Sequence, residues 1–79
     1  MDEVMEKIQS LIFNRFGIEI SYEEPILENG IDSLNIIELI VDIEVEYNIE
    51  FEASSLNYRV LRSIESISKY VFEQIHKDW

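Results

Sequence analysis

Hydrophobic residues recur with helical spacing in a stretch near each end of the chain. Near the start they are Val4, Ile8, Leu11, Ile12 and Phe16, and near the end they are Ile64, Ile67, Val71 and Ile75. This spacing places the side chains on one face of an amphipathic helix. We expect the first helix to stop at Gly17. The last should run from Ser63 or Ile64 to near Lys77, whose positive charge complements the helix dipole.

The segments between the periodic stretches predict connections of different kinds. Residues 18–32 contain Pro25 and Gly30 and show no clear period, yet several of their apolar side chains could enter a core. These are Ile20, Tyr22, Ile26, Leu27 and Ile31. A connection of this length is unusual in so small a domain and is often functional. Residues 49–55 predict a second connection, and residues 56–61 a short helix of one or two turns.

A third periodic stretch, residues 32–47, predicts a helix with two apolar faces. Asp32 and Ser33 are both good N-cap residues, and Asn48 is a suitable C-terminal stop. In a projection at about 100° per residue, one face carries Ile36, Leu39, Ile40, Ile43 and Tyr47. The opposite face carries Leu34, Ile37, Val41 and Val45, which we call the apolar strip.

Carboxylates border the apolar strip. Glu38 and Asp42 lie along one side, and Glu44 lies near the other. A small bundle buries one face of each helix, so a helix with two apolar faces is either central or partly exposed. An exposed apolar strip edged by acids, beginning beside Ser33, indicates a docking surface. The alternative is that the long first connection folds over the strip and buries it.

The composition agrees with a small helical protein. Hydrophobic residues make up 47% of the 79 residues, and two Gly and one Pro interrupt the chain, which favours long helices over many short strands. We therefore predict an all-α bundle of three long helices plus a short third helix, with a long first loop. The length predicts one domain over residues 1–79.

The charge narrows the class of partner. Seventeen acidic and six basic residues give a net charge of -11, which repels nucleic acid and anionic membranes and suits partners with basic docking patches. Acidity that only maintains solubility explains the charge equally well. Residues 1–7 lack the features of a signal peptide. The chain contains no Cys, which excludes disulfides and allows a reducing compartment. We expect a cytoplasmic protein, and separately we expect a monomer.

The start of the second predicted helix carries a recognisable motif. The segment Gly30-Ile31-Asp32-Ser33-Leu34 resembles the G-x-D-S-L attachment motif of acyl carrier and peptidyl carrier proteins. The acidic helix that follows, and the order of elements along nearly the whole chain, resemble the same family. The resemblance implies an acyl-carrier-protein-like fold and a 4′-phosphopantetheine arm, transferred from coenzyme A to Ser33 by a phosphopantetheinyl transferase.

The resemblance also implies roles for neighbouring residues and a set of partners. Asp32 would support modification, while the apolar strip and its acids Glu38, Asp42 and Glu44 would dock partner enzymes. The arm would carry acyl or aminoacyl groups as thioesters. They would come from an adenylating enzyme or acyltransferase and go to condensing, tailoring or thioesterase enzymes. The chain itself would have no catalytic residue and no metal site.

Departures from the family pattern bear on the pathway. Asn35 and Val45 stand where fatty-acid carriers usually have acids, and residues 56–64 are more basic and aromatic than in those carriers. The G-G-H-S-L form common in carriers embedded in large peptide synthetases is absent. These features favour a free-standing carrier in a nonribosomal peptide or mixed polyketide pathway over fatty-acid synthesis or D-alanyl transfer.

Two interpretations without modification remain open from the residues alone. Ser33 could be no more than the N-cap of its helix, the usual role of Ser at that place. The chain could then be an unmodified acidic adaptor that binds a partner protein through the second helix. A hydrolase is disfavoured, because His76 is the single His of the sequence and lies in the last predicted helical turn, where a solvated surface role is expected.

Overall fold

The computed structural model describes residues 2–77, and over these residues the protein is all-α, as predicted. Its α-helices are α1 (Asp2–Phe16), α2 (Ser33–Tyr47), α3 (Tyr58–Leu61) and α4 (Ile64–Ile75). Two 3-10 turns, Ile26–Glu28 and Ala53–Ser55, interrupt the connections and were not predicted. Of the helices described, none is both long and apolar enough to span a membrane.

Local capping residues define the helix ends. At the end of α1, Gly17 has φ 70° and donates its N–H to Phe13 O at 2.8 Å, a conformation that glycine adopts without steric cost. Asn48 ends α2 in the same left-handed region, with φ 54°. Ser63 begins α4 with a capping box in which Ser63 and Ser66 satisfy each other's backbone N–H groups.

The core lies between α1, α2 and α4, each of which contributes one apolar face. Its fully buried side chains include Ile8, Ile12, Leu39, Ile43, Ile64, Ile67 and Val71. Burial of each such side chain favours folding by about 1.5–3 kcal/mol. This burial fixes the orientation of α2, because the face that carries Ile36, Leu39, Ile40 and Ile43 is turned inward.

The long first connection packs against the core. Its side chains Ile20, Ile26 and Ile31 are buried, as their apolar character suggested. Ile26 N–H donates to Arg62 O at 2.8 Å, which ties the connection to the α3–α4 junction. The expectation for Leu27 was wrong, because its side chain is 43% exposed. Leu27 lies in the 3-10 turn directly after buried Ile26, and so tight a turn directs successive side chains to different sides.

The end of the last helix also differs from the prediction. The helix ends at Ile75, and His76 has already left helical geometry, with φ -96° and ψ 8°. Lys77 therefore lies beyond the last turn, where its Nζ is 3.8 Å from Glu52 Oε1. Weak local terms decide helix ends, so a periodic pattern locates them only to within one or two residues.

Candidate functional site

The start of α2 is capped by Asp32. Its Oδ1 accepts hydrogen bonds from Leu34 N–H at 3.0 Å and from Asn35 N–H at 2.8 Å. Asp32 has an extended backbone, with φ -89° and ψ 179°, and Ser33 is the first helical residue. The possibility that Ser33 serves as the N-cap is therefore wrong, because the carboxylate of Asp32 occupies the two amides that a cap would bind.

Ser33 is held at the surface by buried neighbours on both sides. Ile31 is 1% exposed and Ile36 is 4% exposed, whereas Asp32, Ser33 and Leu34 between them are exposed. Since Asp32 makes the cap hydrogen bonds, esterification of the Ser33 hydroxyl would leave them intact. A phosphodiester there would lie beside the positive end of the α2 dipole, which stabilises an anion. This site therefore fits a phosphopantetheine group.

The apolar strip leads away from Ser33 along the outer face of α2. Leu34 and Val45 are each 77% exposed, Val41 is 50% exposed and Ile37 is 49% exposed. The long connection does not cover these side chains, since all four remain at least 49% exposed, while Ile20, Ile26 and Ile31 of the connection are buried in the core. The alternative in which the loop buries the strip is therefore wrong.

The two carboxylates along one side of the strip are bound by Arg15 of α1. Arg15 Nη2 donates to Asp42 Oδ1 at 2.7 Å, and its Nε donates to the other oxygen of Asp42. Arg15 Nη1 donates to Glu38 Oε2 at 2.9 Å. The hydrogen bond to Asp42 raises the pKa of Arg15 above its ordinary value, and the charges of Asp42 and Glu38 add to this. The cluster keeps a net charge of about -1, since one cation serves two carboxylates.

The carboxylate of Glu44, the third predicted acid, is bound within the protein. Its Oε2 accepts a hydrogen bond from Phe51 N–H at 2.8 Å, and the side chain is half-buried. The Phe51 ring in turn packs against Tyr70 of α4, with the ring centroids 4.8 Å apart. Glu44 thus holds the segment after α2 against the bundle.

Arg15 belongs to this surface but was not predicted from the sequence. A signal was present, because residues 16–58 contain no Lys or Arg. Acids on α2 must therefore take intramolecular counter-charges from Lys7, Arg15 or residues beyond 58. Lys7 does pair with α2, since its Nζ is 3.6 Å from Glu46 Oε2. Helical periodicity alone could not show which of the acids each cation meets.

Comparisons with known proteins agree with the geometry of this site. The model of a family described as a phosphopantetheine attachment site matches residues 6–71. An acyl carrier protein of Buchnera aphidicola subsp. Baizongia pistaciae (strain Bp) is 36% identical over 78 residues, which make up 91% of this chain and 100% of that relative. Members of this family are non-catalytic carriers with a covalently attached 4′-phosphopantetheine, and transferases and synthases act on them. The chain belongs to the phosphopantetheine-binding acyl carrier protein family.

Proposed function

We propose that Ser33 bears the 4′-phosphopantetheine arm and that residues 1–79 act as one carrier domain. The observation that carries this proposal is an exposed serine in the first turn of a helix whose cap is already made by Asp32. On modification, Ser33 Oγ forms a bond to the pantetheine-bearing phosphorus of the coenzyme A diphosphate. The bond from this phosphorus to the bridging oxygen breaks, 3′,5′-ADP leaves with that oxygen, and the hydroxyl proton is released. The arm then supplies a thiol that carries acyl or aminoacyl groups as thioesters.

Intact-mass measurement tests this assignment. The protein is incubated with coenzyme A, magnesium and a broad-specificity phosphopantetheinyl transferase. We expect a gain of one phosphopantetheine in the wild type and in Ser54→Ala, which removes another exposed serine, and no gain in Ser33→Ala. A gain in folded Ser33→Ala would contradict the assignment, and no gain in the wild type with several transferases would contradict modification itself.

We propose that partner enzymes dock on the apolar strip, with Leu34 nearest the arm. The strip is exposed along its length, and a contiguous apolar surface of this kind is typical of interaction sites. Val45→Asp should raise the KM of the transferase for the carrier while leaving the fold intact, because Val45 is 77% exposed. Phe13→Asp on α1, where the ring is 53% exposed, is the matched control. Equal KM values for the two variants would contradict docking on the strip.

For the pathway, we propose a nonribosomal peptide or mixed polyketide system. Asn35 and Val45 in place of acids support this, as does the exposed surface of α3, where Tyr58 is 63% exposed and Arg59 is exposed. The modified protein should accept an aminoacyl or aryl group from an adenylating enzyme and ATP. Loading only by a malonyl-transferring acyltransferase would favour fatty-acid synthesis instead.

We further propose that the carrier works in the cytoplasm as a monomer. A net charge of -11 makes copies of the chain repel each other, and a chain without Cys suits a reducing compartment. Light scattering at low and high protein concentration tests the monomer, and a mass of twice the chain would contradict it.

A further inference from the structure

The acids that border the apolar strip are already engaged within the protein. Arg15 binds Glu38 and Asp42, and the backbone of Phe51 binds Glu44. A partner that approaches the strip therefore meets exposed apolar side chains bordered on one side by Arg15 and the two carboxylates that it binds. This border is less negative than the sequence of α2 suggests.

We propose that Arg15 is a specificity-determining residue of the docking surface. It favours partner enzymes with an apolar docking surface and few basic side chains over partners that dock through a basic patch. This inference rests on the proposed docking function of the strip and adds the chemistry of the preferred partner.

The geometry explains why Arg15 acts on partner choice. Its fork-shaped guanidinium binds both oxygens of Asp42 and one of Glu38, an arrangement that a lysine could not reproduce. A partner's Lys or Arg has to compete with this cation or pair with the exposed remainder of Glu38, whose side chain is 53% exposed. Complementary charges at such a border govern encounter and selectivity more than final affinity.

A purely structural role of Arg15, as a link between α1 and α2, is the competing explanation. The chain offers a matched control, because Lys7 also links α1 to α2 through Glu46. Glu46 lies outside the strip and its predicted acidic border. Arg15→Gln and Lys7→Gln change the net charge equally and each break a link between the same helices, but only the first frees Glu38 and Asp42.

The experiment measures kcat and KM for two phosphopantetheinyl transferases, one with a basic docking surface and one with an apolar surface. For the basic one, Arg15→Gln should lower KM by about two- to fivefold at low salt, as expected for a freed surface charge pair. Its kcat should be unchanged. This decrease in KM should vanish near 1 M salt, where the Debye length is about 3 Å. Lys7→Gln, and either variant with the apolar enzyme, should leave KM unchanged.

Several results would overturn the inference. For the transferase with the basic docking surface, equal KM values for Arg15→Gln and Lys7→Gln would show that Arg15 acts only on the fold. A decrease in KM that persists at high salt would show the same. If Arg15→Gln fails to fold, Glu38→Gln in the wild type replaces it. The inference then expects a smaller rise in KM from Glu38→Gln than from Leu34→Asp on the strip, and an equal rise would refute it. Failure of the wild type to become modified would instead refute the proposed function.

Discussion

Replacing Asp32 by Ala should destabilise the protein through the start of α2. The change removes the oxygen that accepts Leu34 N–H at 3.0 Å and Asn35 N–H at 2.8 Å, so two helix amides lose their partner. Loss of an N-cap of this kind costs about 0.5–2 kcal/mol, and loss of a negative charge at the helix N-terminus about 0.3–1 kcal/mol more. Together these costs predict a decrease of about 1–3 kcal/mol in the free energy of unfolding.

Urea denaturation followed by circular dichroism measures this decrease. A small domain loses roughly 1 kcal/mol of stability per molar urea, so Asp32→Ala should lower the midpoint by about 1–3 M. Asp32→Asn keeps an acceptor oxygen and should lose much less. Glu28→Ala, at an exposed acid in the neighbouring 3-10 turn, has the same charge change without a cap. Equal midpoints for Asp32→Ala and Glu28→Ala would refute the capping argument.

The same series separates the two roles of Asp32. Asp32→Asn retains the cap but not the carboxylate, so its fold should survive while the proposed support for modification is lost. A slower mass gain in folded Asp32→Asn would assign that support to the carboxylate. A rate equal to that of the wild type would limit Asp32 to capping the helix.

Four further substitutions test the core, the exposed face of α2 and the pH dependence. Ser68→Ala should raise the free energy of unfolding by about 1 kcal/mol, because the hydroxyl is buried and has no hydrogen-bond partner among the described residues; a lower urea midpoint would contradict this. Ile43→Ala should lower the free energy of unfolding by about 2–5 kcal/mol, since Ile43 is 0% exposed. Val45→Ala on the opposite, exposed face should change this free energy by less than about 0.5 kcal/mol. Burial, followed by nearby acidic groups, raises the pKa of Tyr47 above its ordinary value of 10.0. The folded state thus favours the neutral phenol, and this contribution to stability is complete below pH 10.0 and is lost as the pH rises through the folded value. Urea midpoints across that range should fall less for Tyr47→Phe than for the wild type, and an equal fall would contradict the argument.

The helices were predictable because their determinants are local. The α2 helix runs from Ser33 to Tyr47, where the sequence placed it, since Asp32 and Asn48 mark its ends within the chain itself. The period of Ile36, Leu39, Ile40 and Ile43 likewise decided which face is buried, because helix formation in a small domain depends on packing one apolar face.

The connections were less predictable because their conformation depends on distant partners. Ile26 and Leu27 are adjacent and similar in polarity, yet one is buried and the other exposed. The difference arises from the 3-10 turn and from the hydrogen bond of Ile26 N–H to Arg62 O, a contact across 36 positions of sequence. No pattern within residues 18–32 carries that information.

The candidate site also combines a feature that local sequence predicts with contacts that depend on distant residues. The helical projection and the flanking acids favoured exposure of the apolar strip, which the structure confirms, but they did not predict that the acids are bound within the protein. Arg15 lies 23 and 27 positions before its carboxylates, and Phe51 lies 7 positions after Glu44. Such pairs depend on how α1 and the segment after α2 pack, so the sequence could only limit the candidates through the lack of Lys and Arg in residues 16–58.

The acids beside the apolar strip also explain how α2 keeps one orientation although it is apolar on two faces. Turning the helix over would bury Leu34, Ile37, Val41 and Val45, which have less apolar volume than the four residues now inside. It would also move Glu38 and Asp42 toward the core, where an unpaired carboxylate is costly, and it would break the hydrogen bonds of Arg15 and of Phe51 N–H. Each of these terms opposes the inverted packing. The strip can therefore remain exposed and available to partners without making the packing of the helix ambiguous.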